Sequence, residues 1–159
     1  MCESNIMFVK RKCFEKTFLE FSVKNNKEIW AISSVRKLHK DIIDIAVRLV
    51  NLEFIKYVKI SNETIIASSE VKGTKIKKPI TTMDHPTATG IEIIYHIDYK
   101  ILNFYEINST IKGNGSKMIA AVLTNFPTKD WRFFVTFDWS GGFWKKMKEK
   151  YNDRNWIIS

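Results

Sequence analysis

The sequence predicts one mixed α/β domain over residues 1–159, in which helices flank a central sheet. Three observations support this fold class. Segments with strand composition alternate with segments of helical periodicity, the pattern of a mixed sheet covered by helices. A strand, a glycine turn and a helix follow one another directly between residues 101 and 124. The composition, with 45% hydrophobic and 27% charged residues, is typical of a folded chain, and three prolines and six glycines leave little room for a linker.

Two strands and a long helix are predicted in the first part of the chain. The segments "TFLEFSV" (17–23) and "EIWAISS" (28–34) have strand composition, and the turn-prone "KNNK" joins them. From residue 35 to about residue 57, apolar side chains recur every three or four positions, as on one face of an amphipathic helix. These apolar positions are Leu38, Ile42, Ile45, Leu49, Leu52 and Ile55.

A strand, a loop and a hairpin are predicted next. The strand is "TIIASSEV" (64–71), and the loop contains "GTKIKKP" and "TTMDHPT". The hairpin pairs "IEIIYHI" (91–97) with "ILNFYEIN" (101–108) across the turn residues 98–100. We expect this hairpin to lead into the glycine turn and then into a helix over about residues 116–124.

The last part of the chain predicts a buried strand, a helix and a closing strand. "WRFFVTFD" (131–138) is a nearly continuous apolar run, which is typical of a buried strand with Phe133, Val135 and Phe137 facing the core. "SGGFWKKMKEKY" begins a helix, and "NWIIS" can close the sheet. Because residues 101–138 run strand–helix–strand, they predict a right-handed crossover. The apolar stripe of the last helix consists of Phe143, Met147 and Tyr151.

The net charge of +9 favours an anionic partner. The basic residues are 21 lysines and five arginines, whereas arginine is preferred for bidentate recognition of phosphates and base edges. We therefore expect a basic surface with one phosphate-bearing ligand, and nucleic acid is not the predicted partner. Ten of the 21 aromatic residues fall within residues 126–156. They suit base stacking beside lysines as well as core packing, and core packing is the preferred interpretation.

The sequence predicts a cytoplasmic protein without a membrane partner. No apolar stretch approaches the ~20 residues that span a bilayer. The first residues contain no apolar run behind a basic segment, so no secretory signal is predicted. The two cysteines, Cys2 and Cys13, lie too close to the start of the chain to staple the domain, which favours a reducing compartment.

The glycine turn within "NFYEINSTIKGNGSKMIAAVL" (103–123) is a candidate anion site. Gly113 and Gly115 bracket Asn114, and all three tolerate backbone conformations that aim successive N–H groups outward. The helix that follows adds the unpaired amides of its first turn, predicted at Ser116, Lys117 and Met118.

Lys112 and Lys117 flank this turn with positive charge, so a diphosphate is the expected occupant. The segment matches neither a Walker A loop nor the dinucleotide-binding fingerprint, since Met118 occupies the position of the third glycine. The alternative is a tight strand-to-helix turn that binds nothing.

The residues around the turn resemble a known family. "EINSTIKGNGSKMIAAVL" (106–123) resembles motif A of the GNAT superfamily of N-acetyltransferases, and "FVTFDWSGGFWKKMKEKY" (134–151) resembles that family's next strand and helix. The resemblance covers residues 91–151, and over residues 1–60 it rests on the order of elements. It implies a mixed, mostly antiparallel sheet with a splayed pair of parallel strands, and acetyl transfer from acetyl-CoA to a primary amine by direct attack in a ternary complex.

The resemblance also implies which residues contact acetyl-CoA. The loop and helix start would hold its diphosphate, and the strand before the loop would run along its pantetheine arm. The implied contacts are Ile107, Lys112, Gly113, Asn114, Gly115, Ser116, Lys117, Ser140 and Trp144.

Catalysis in this family needs a base, because an ammonium ion is not nucleophilic. Glu106 is the nearest carboxylate in the sequence, with Glu92 and Asp98 on the neighbouring hairpin, and Tyr105 is a second catalytic candidate. The chain departs from the family pattern at Thr110, where glutamine or arginine is usual. It departs again at Trp144, where many members have a tyrosine that acts as a general acid.

Two alternatives to an active acetyltransferase are kept. One is a relative that binds acyl-CoA without catalysis, motivated by Trp144, and the other is a small basic nucleic-acid-binding protein. His39, His85 and His96 have no spacing typical of a metal site, so no metal is predicted. The loop with Asp84 and His85 is interpreted as a surface turn. The acceptor amine, on a small molecule or a protein, and the oligomeric state are not predicted.

Overall fold

The computed structural model describes residues 7–13, 16–23, 27–32, 38–74, 77–82, 85–127 and 129–158. The described helices are α1 (Lys40–Val50), α2 (Asn114–Leu123) and α3 (Phe143–Lys150). The described strands are β1 (Met7–Cys13), β2 (Lys16–Val23), β3 (Lys27–Ile32), β4 (Tyr57–Ile60), β5 (Thr64–Ser68), β6 (Val71–Lys72), β7 (Lys78–Pro79), β8 (Gly90–His96), β9 (Ile101–Asn108), β10 (Arg132–Val135) and β11 (Asn155–Ile158).

Nine of these strands form one sheet in the order β1-β2-β3-β4-β5-β8-β9-β10-β11, and β6 and β7 form a separate short hairpin. Five of the eight neighbouring pairs in the large sheet are antiparallel. The three parallel pairs are β3–β4, β9–β10 and β10–β11, and one helix joins the strands of each pair. The predicted mixed α/β class with a mostly antiparallel sheet is confirmed.

The three described helices pack on the same face of the sheet. Ile91, Ile93 and Tyr95 alternate along β8 and therefore share one face. A single core cluster joins these three residues to Ile45 of α1, to Met118 of α2 and to side chains of α3. The opposite face of β8 carries Glu92, Ile94 and His96 and lies away from the helices.

Helix α1 confirms the predicted apolar stripe but is shorter than expected. Ile42, Ile45 and Leu49 are fully buried. The helix ends at Val50, and the three-residue step from Leu52 to Ile55 continues through a turn in which the Ile55 N–H donates to the Leu52 carbonyl over 3.1 Å. The apolar spacing therefore extends the predicted helix to the start of β4, so this strand is not predicted. Residues 35–37, at the predicted start of the helix, lie outside the described residues.

Lys27 stabilises the end of α1 from the neighbouring strand β3. Its Nζ donates to the carbonyl oxygen of Val50 at 2.8 Å, in the last turn of the helix, and to that of Leu52 at 2.7 Å, just beyond it. Burial lowers the pKa of Lys27, and Glu53 opposes that shift. The positive charge is well placed beside the negative end of the helix.

The aromatic residues of the last part of the chain mostly build the core, as predicted. Trp131, Phe133 and Trp144 are buried. Phe137 was expected to join them, but β10 ends at Val135 and Phe137 is 57% exposed. The predicted closing strand is present as β11, and Met147 of the α3 stripe is buried.

Two other features were not predicted from the sequence, namely strand β1 and the β6–β7 hairpin. The predicted turn residues 24–26, and Cys2, lie outside the described residues. Among the described helices, none is long and apolar enough to cross a membrane, and the longest, α1, has 11 residues.

Two arginines from distant parts of the chain bind the C-terminal end of α2. Arg48 donates from Nε to the Ala121 carbonyl at 2.6 Å and from Nη2 to the Val122 carbonyl at 3.1 Å. Arg154 donates from Nη2 to the Leu123 carbonyl at 3.0 Å. These are carbonyls that a helix end leaves without intrahelical partners, so the two side chains fix the end of α2 against α1 and the C-terminal segment.

We expect Arg48→Met to lower the free energy of unfolding by about 1–3 kcal/mol, because it removes two hydrogen bonds from a charged donor to half-buried carbonyls. Urea unfolding followed by circular dichroism measures this change. The matched control is Arg132→Met, since Arg132 is exposed and lies over the Phe134 ring. Equal stability of the two variants would contradict the assigned role of Arg48.

Candidate functional site

The parallel strands β9 and β10 separate after a short paired stretch. Their register pairs only Ile101 with Arg132, Leu102 with Phe133 and Asn103 with Phe134. At the point of separation the side chains of Asn103 and Thr136 hydrogen-bond to each other. Strand β9 continues to Asn108, so residues 104–108 have no register partner in β10.

Two adjacent cavities open where these strands diverge. We call the first the aromatic cavity; it has a volume of about 290 Å³ and is lined in part by Tyr105, Glu106, Phe137, Trp139 and Trp144. The second, the glycine cavity, has a volume of about 550 Å³ and is lined in part by Lys112, Gly113, Gly115, Gly142 and Lys146. Ile107 and Ser140 line both cavities, so the two are neighbours along β9.

The N-termini of two helices face the glycine cavity. The N-cap residues are Gly113 of α2, with φ 95°, and Gly142 of α3, with φ 123°, and side chains rarely adopt these conformations. A Cβ atom on Gly115 would lie 3.3 Å from the ring of Phe143, the first residue of α3. The missing side chain at Gly115 therefore lets the two first turns approach closely, and their positive dipole ends add at one place.

Helix α2 begins two residues earlier than predicted, and this changes which amides are free. The Lys117 N–H donates to the Gly113 carbonyl at 3.2 Å, and Met118 lies inside the helix, so these two amides are not available. Among the described residues, the N–H groups of Gly115 and Ser116 have no acceptor. Ser116 is thus the one residue whose predicted free amide is confirmed.

Asn114 also differs from the expectation. The left-handed residue of the turn is Gly113, whereas Asn114 is helical and only 6% exposed. Its N–H donates to the Ile111 carbonyl at 3.3 Å. The turn therefore relies on one glycine for its backbone conformation and on the other, Gly115, for space.

A short polar turn orders the start of α3. The hydroxyl and the N–H of Ser140 both donate to Oδ1 of Asp138, and the Trp144 N–H donates to the Ser140 hydroxyl oxygen at 3.4 Å. Ser140 thereby fixes the boundary between the two cavities. Lys146, one turn into α3, lines the glycine cavity beside Lys112.

The structure separates the predicted cofactor residues into those that line the glycine cavity and those that do not. Ile107, Lys112, Gly113, Gly115, Ser116 and Ser140 all line the glycine cavity. Lys117 is exposed and lines neither cavity. Trp144 is only 3% exposed and packs on Phe104 at 5.2 Å between ring centroids, so it is a core residue with an edge on the aromatic cavity.

Lys146 is not among the site residues that the sequence predicts, because it lies outside the predicted apolar stripe of the helix. The double glycine before it is the signal that identifies the start of the helix. From that start, Lys146 falls on the first turn, where a side chain reaches toward the free amides.

Two carboxylates face each other across strands β8 and β9. Glu92 and Glu106 are register partners, and Tyr105 is the extra residue of a β-bulge between Glu106 and Phe104. The Thr81 hydroxyl donates to Oε2 of Glu106 at 2.9 Å. Burial raises the pKa of Glu92, the nearby Glu106 raises it further, and Lys78 opposes the shift. Asp98 lies at the opposite end of the hairpin, in the turn, and does not join this pair.

Two of the described histidines, His39 and His85, serve local structure. His39 caps α1 by accepting from the Asp41 N–H at 3.2 Å. His85 accepts from the Ala88 N–H at 3.1 Å in a surface turn, as expected, and its neighbour Asp84 lies outside the described residues. No group of three histidine, cysteine, aspartate or glutamate side chains in the described part of the chain is arranged to hold a metal ion.

The arrangement is a cleft between diverging parallel strands, with anion-binding groups at one end and a carboxylate among aromatic rings at the other. Comparisons with protein-family models, with curated proteins and with solved structures give no match for this chain. The geometry of the cleft is therefore the basis for assigning a function.

We expect Glu92→Gln to remove a pH dependence of stability. A carboxyl whose pKa is raised on folding stabilises the protein below its unfolded pKa, and that contribution is lost as the pH rises through the folded pKa. The unfolding free energy of the natural protein should therefore fall as the pH rises above the ordinary value of 4.5, and the variant should lack this fall. Urea unfolding at a series of pH values measures it.

Glu149→Gln is the matched control, because Glu149 is an exposed carboxylate on α3. It should retain the full pH dependence. Parallel stability curves for the natural protein and the Glu92→Gln variant would show that Glu92 titrates as an ordinary glutamate.

Proposed function

We propose that this protein is an N-acetyltransferase that transfers an acetyl group from acetyl-CoA to a primary amine in a ternary complex. One observation carries the proposal: β9 and β10 diverge beside a cavity at which two glycine-capped helices begin. The motif resemblance over residues 91–151 predicted this divergence and a diphosphate site beside it.

The glycine cavity fits a diphosphate group. The free N–H groups of Gly115 and Ser116 supply two donors, and the N-termini of α2 and α3 both favour negative charge there. Lys112 and Lys146 add two positive charges at the rim of the same cavity. Backbone amides and lysines together match the charge and the acceptor oxygens of a diphosphate.

The rest of acetyl-CoA fits along β9. Residues 104–108 have no register partner in β10, and their backbone groups would hydrogen-bond to the amides of the pantetheine arm. Ile107 lines both cavities and so lies along the path from the diphosphate to the thioester. The thioester end then reaches the aromatic cavity, where Glu106 lies.

Acetyl-CoA would supply a thioester whose carbonyl carbon the amine nitrogen attacks; the carbon–sulfur bond would then break and CoA would leave as the thiol. Glu106 accepts the proton that the amine must lose, and the Thr81 hydroxyl orients its carboxylate. The unpaired N–H groups of β9 polarise the thioester oxygen. Tyr105 carries the one phenolic hydroxyl among the described residues lining the aromatic cavity. We assign it as the group that donates a proton to the departing sulfur, because the indole of Trp144 is not an acid.

A relative that binds acyl-CoA without catalysis is the second candidate, and the position of Trp144 favours it. The indole is not an acid. Because it is buried against Phe104, it also leaves no room for a water molecule that could donate the proton at this position. A thiol-release assay with a library of amines separates the two candidates, since a silent binder holds the cofactor and releases no CoA.

We expect acetyl-CoA to bind, and Lys112→Ala and Lys146→Ala each to weaken the affinity about threefold to tenfold, because each removes one charge-assisted contact with the diphosphate. Isothermal titration calorimetry at low ionic strength measures the affinity, which should fall as salt is added. S-acetylpantetheine, which lacks the diphosphate, should lose most of the affinity.

Lys145→Ala is the matched control, because Lys145 is exposed on α3 and lines neither cavity. It should leave the affinity nearly unchanged. Equal losses for all three lysine variants would indicate general attraction by the basic surface. Equal affinity for S-acetylpantetheine and acetyl-CoA would exclude the glycine cavity as the diphosphate site.

A further inference from the structure

The aromatic cavity gathers apolar side chains that are otherwise exposed. Among the described residues, the large hydrophobic side chains with high exposure are Tyr99, Tyr105, Ile111, Phe137, Trp139 and Ile157. Three of the four aromatic members of this set line the one cavity, and Trp139 is 81% exposed there. A concentration of exposed rings around a concave site is typical of a binding surface.

The charge of this cavity is opposite to that of its surroundings. Glu106 lines the aromatic cavity and Glu92 lies directly across from it on β8. The protein as a whole carries a net charge of +9, and the neighbouring glycine cavity carries Lys112 and Lys146. A negative site beside a positive one sorts two ligands by charge, with an anion in the glycine cavity and a cation in the aromatic cavity.

We propose that the aromatic cavity binds a small organic ammonium ion with an apolar, ring-bearing body. The ammonium group pairs with the Glu106 carboxylate, and the rings of Phe137 and Trp139 cover the apolar body and attract the positive charge by cation–π interaction. The role of this ligand as an acetyl acceptor rests on the proposed function, whereas the binding of the ligand does not.

The size of the cavity favours a small molecule over a folded partner. Its volume of about 290 Å³ lies at the lower end of the range for small-molecule sites. The aromatic lining disfavours a long polyamine. Such a ligand carries charges along its whole length, whereas the rings offer apolar contact. The class that fits is an arylalkylamine or a similar amphipathic monoamine.

Titration calorimetry with 2-phenylethylamine, in the absence of acetyl-CoA, tests the proposal. We expect 2-phenylethylamine to bind at least about tenfold more tightly than its neutral isostere 2-phenylethanol, because only the amine pairs with the carboxylate. Ethylamine, which lacks the ring, should also bind at least several-fold more weakly. Equal binding of amine and alcohol, or no binding of the amine at millimolar concentration, would overturn the proposal.

The variants locate the site on the protein. Trp139→Ala and Glu106→Gln should each weaken 2-phenylethylamine binding about threefold to tenfold. Tyr99→Ala is the matched control, because Tyr99 is 71% exposed in the turn between β8 and β9, at the far end of β9. Circular dichroism checks that each variant is folded. Unchanged binding in both site variants would place the ligand elsewhere and contradict the assignment.

The outcomes also separate this inference from the proposed function. Amine binding at the assigned residues without release of CoA rejects acetyl transfer and supports the ammonium site. Release of CoA with spermidine but not with 2-phenylethylamine supports acetyl transfer and overturns the inferred ligand class.

Discussion

The divergence of β9 from β10 after three paired positions is the constraint on which the rest of the site depends. Had the two strands stayed paired to their ends, the backbone of residues 104–108 would have been satisfied within the sheet. Because the strands separate, both cavities open onto the same strand, β9. The β-bulge at Tyr105 lies in this stretch of β9, and Tyr105 lines the aromatic cavity.

Helix α2 is fixed at both ends for different reasons. At its C-terminal end, Arg48 and Arg154 bind the last carbonyls and hold the helix against the core. At its N-terminal end, Gly113 supplies a backbone conformation and Gly115 supplies space beside Phe143. The side-chain hydrogen bonds thus lie at the C-terminal end of α2, whereas the N–H groups of Gly115 and Ser116, at the end facing the glycine cavity, have no acceptor among the described residues.

The sequence predicted the fold class better than the details of the fold, and the location of the functional site stays a prediction. Periodicity identified the buried face of α1 because Ile42, Ile45 and Leu49 repeat at helical steps. It failed at Leu52 and Ile55, because a turn and a short strand can continue the same spacing. The glycine motif predicted the turn before α2 but placed the start of the helix two residues too late, because the motif does not show that the Lys117 N–H pairs with the Gly113 carbonyl. Pairs formed by folding, such as Glu106 with Thr81, have no signal in the order of residues.

The proposed function requires that two main-chain N–H groups, those of Gly115 and Ser116, donate hydrogen bonds to a diphosphate. Titration of ¹⁵N-labelled protein with acetyl-CoA, followed by amide chemical shifts, observes those donors themselves. The account predicts large shifts for the Gly115 and Ser116 amides at saturation and small shifts for amides in the turn between β8 and β9. Saturating binding that leaves the Gly115 and Ser116 resonances unmoved would contradict it.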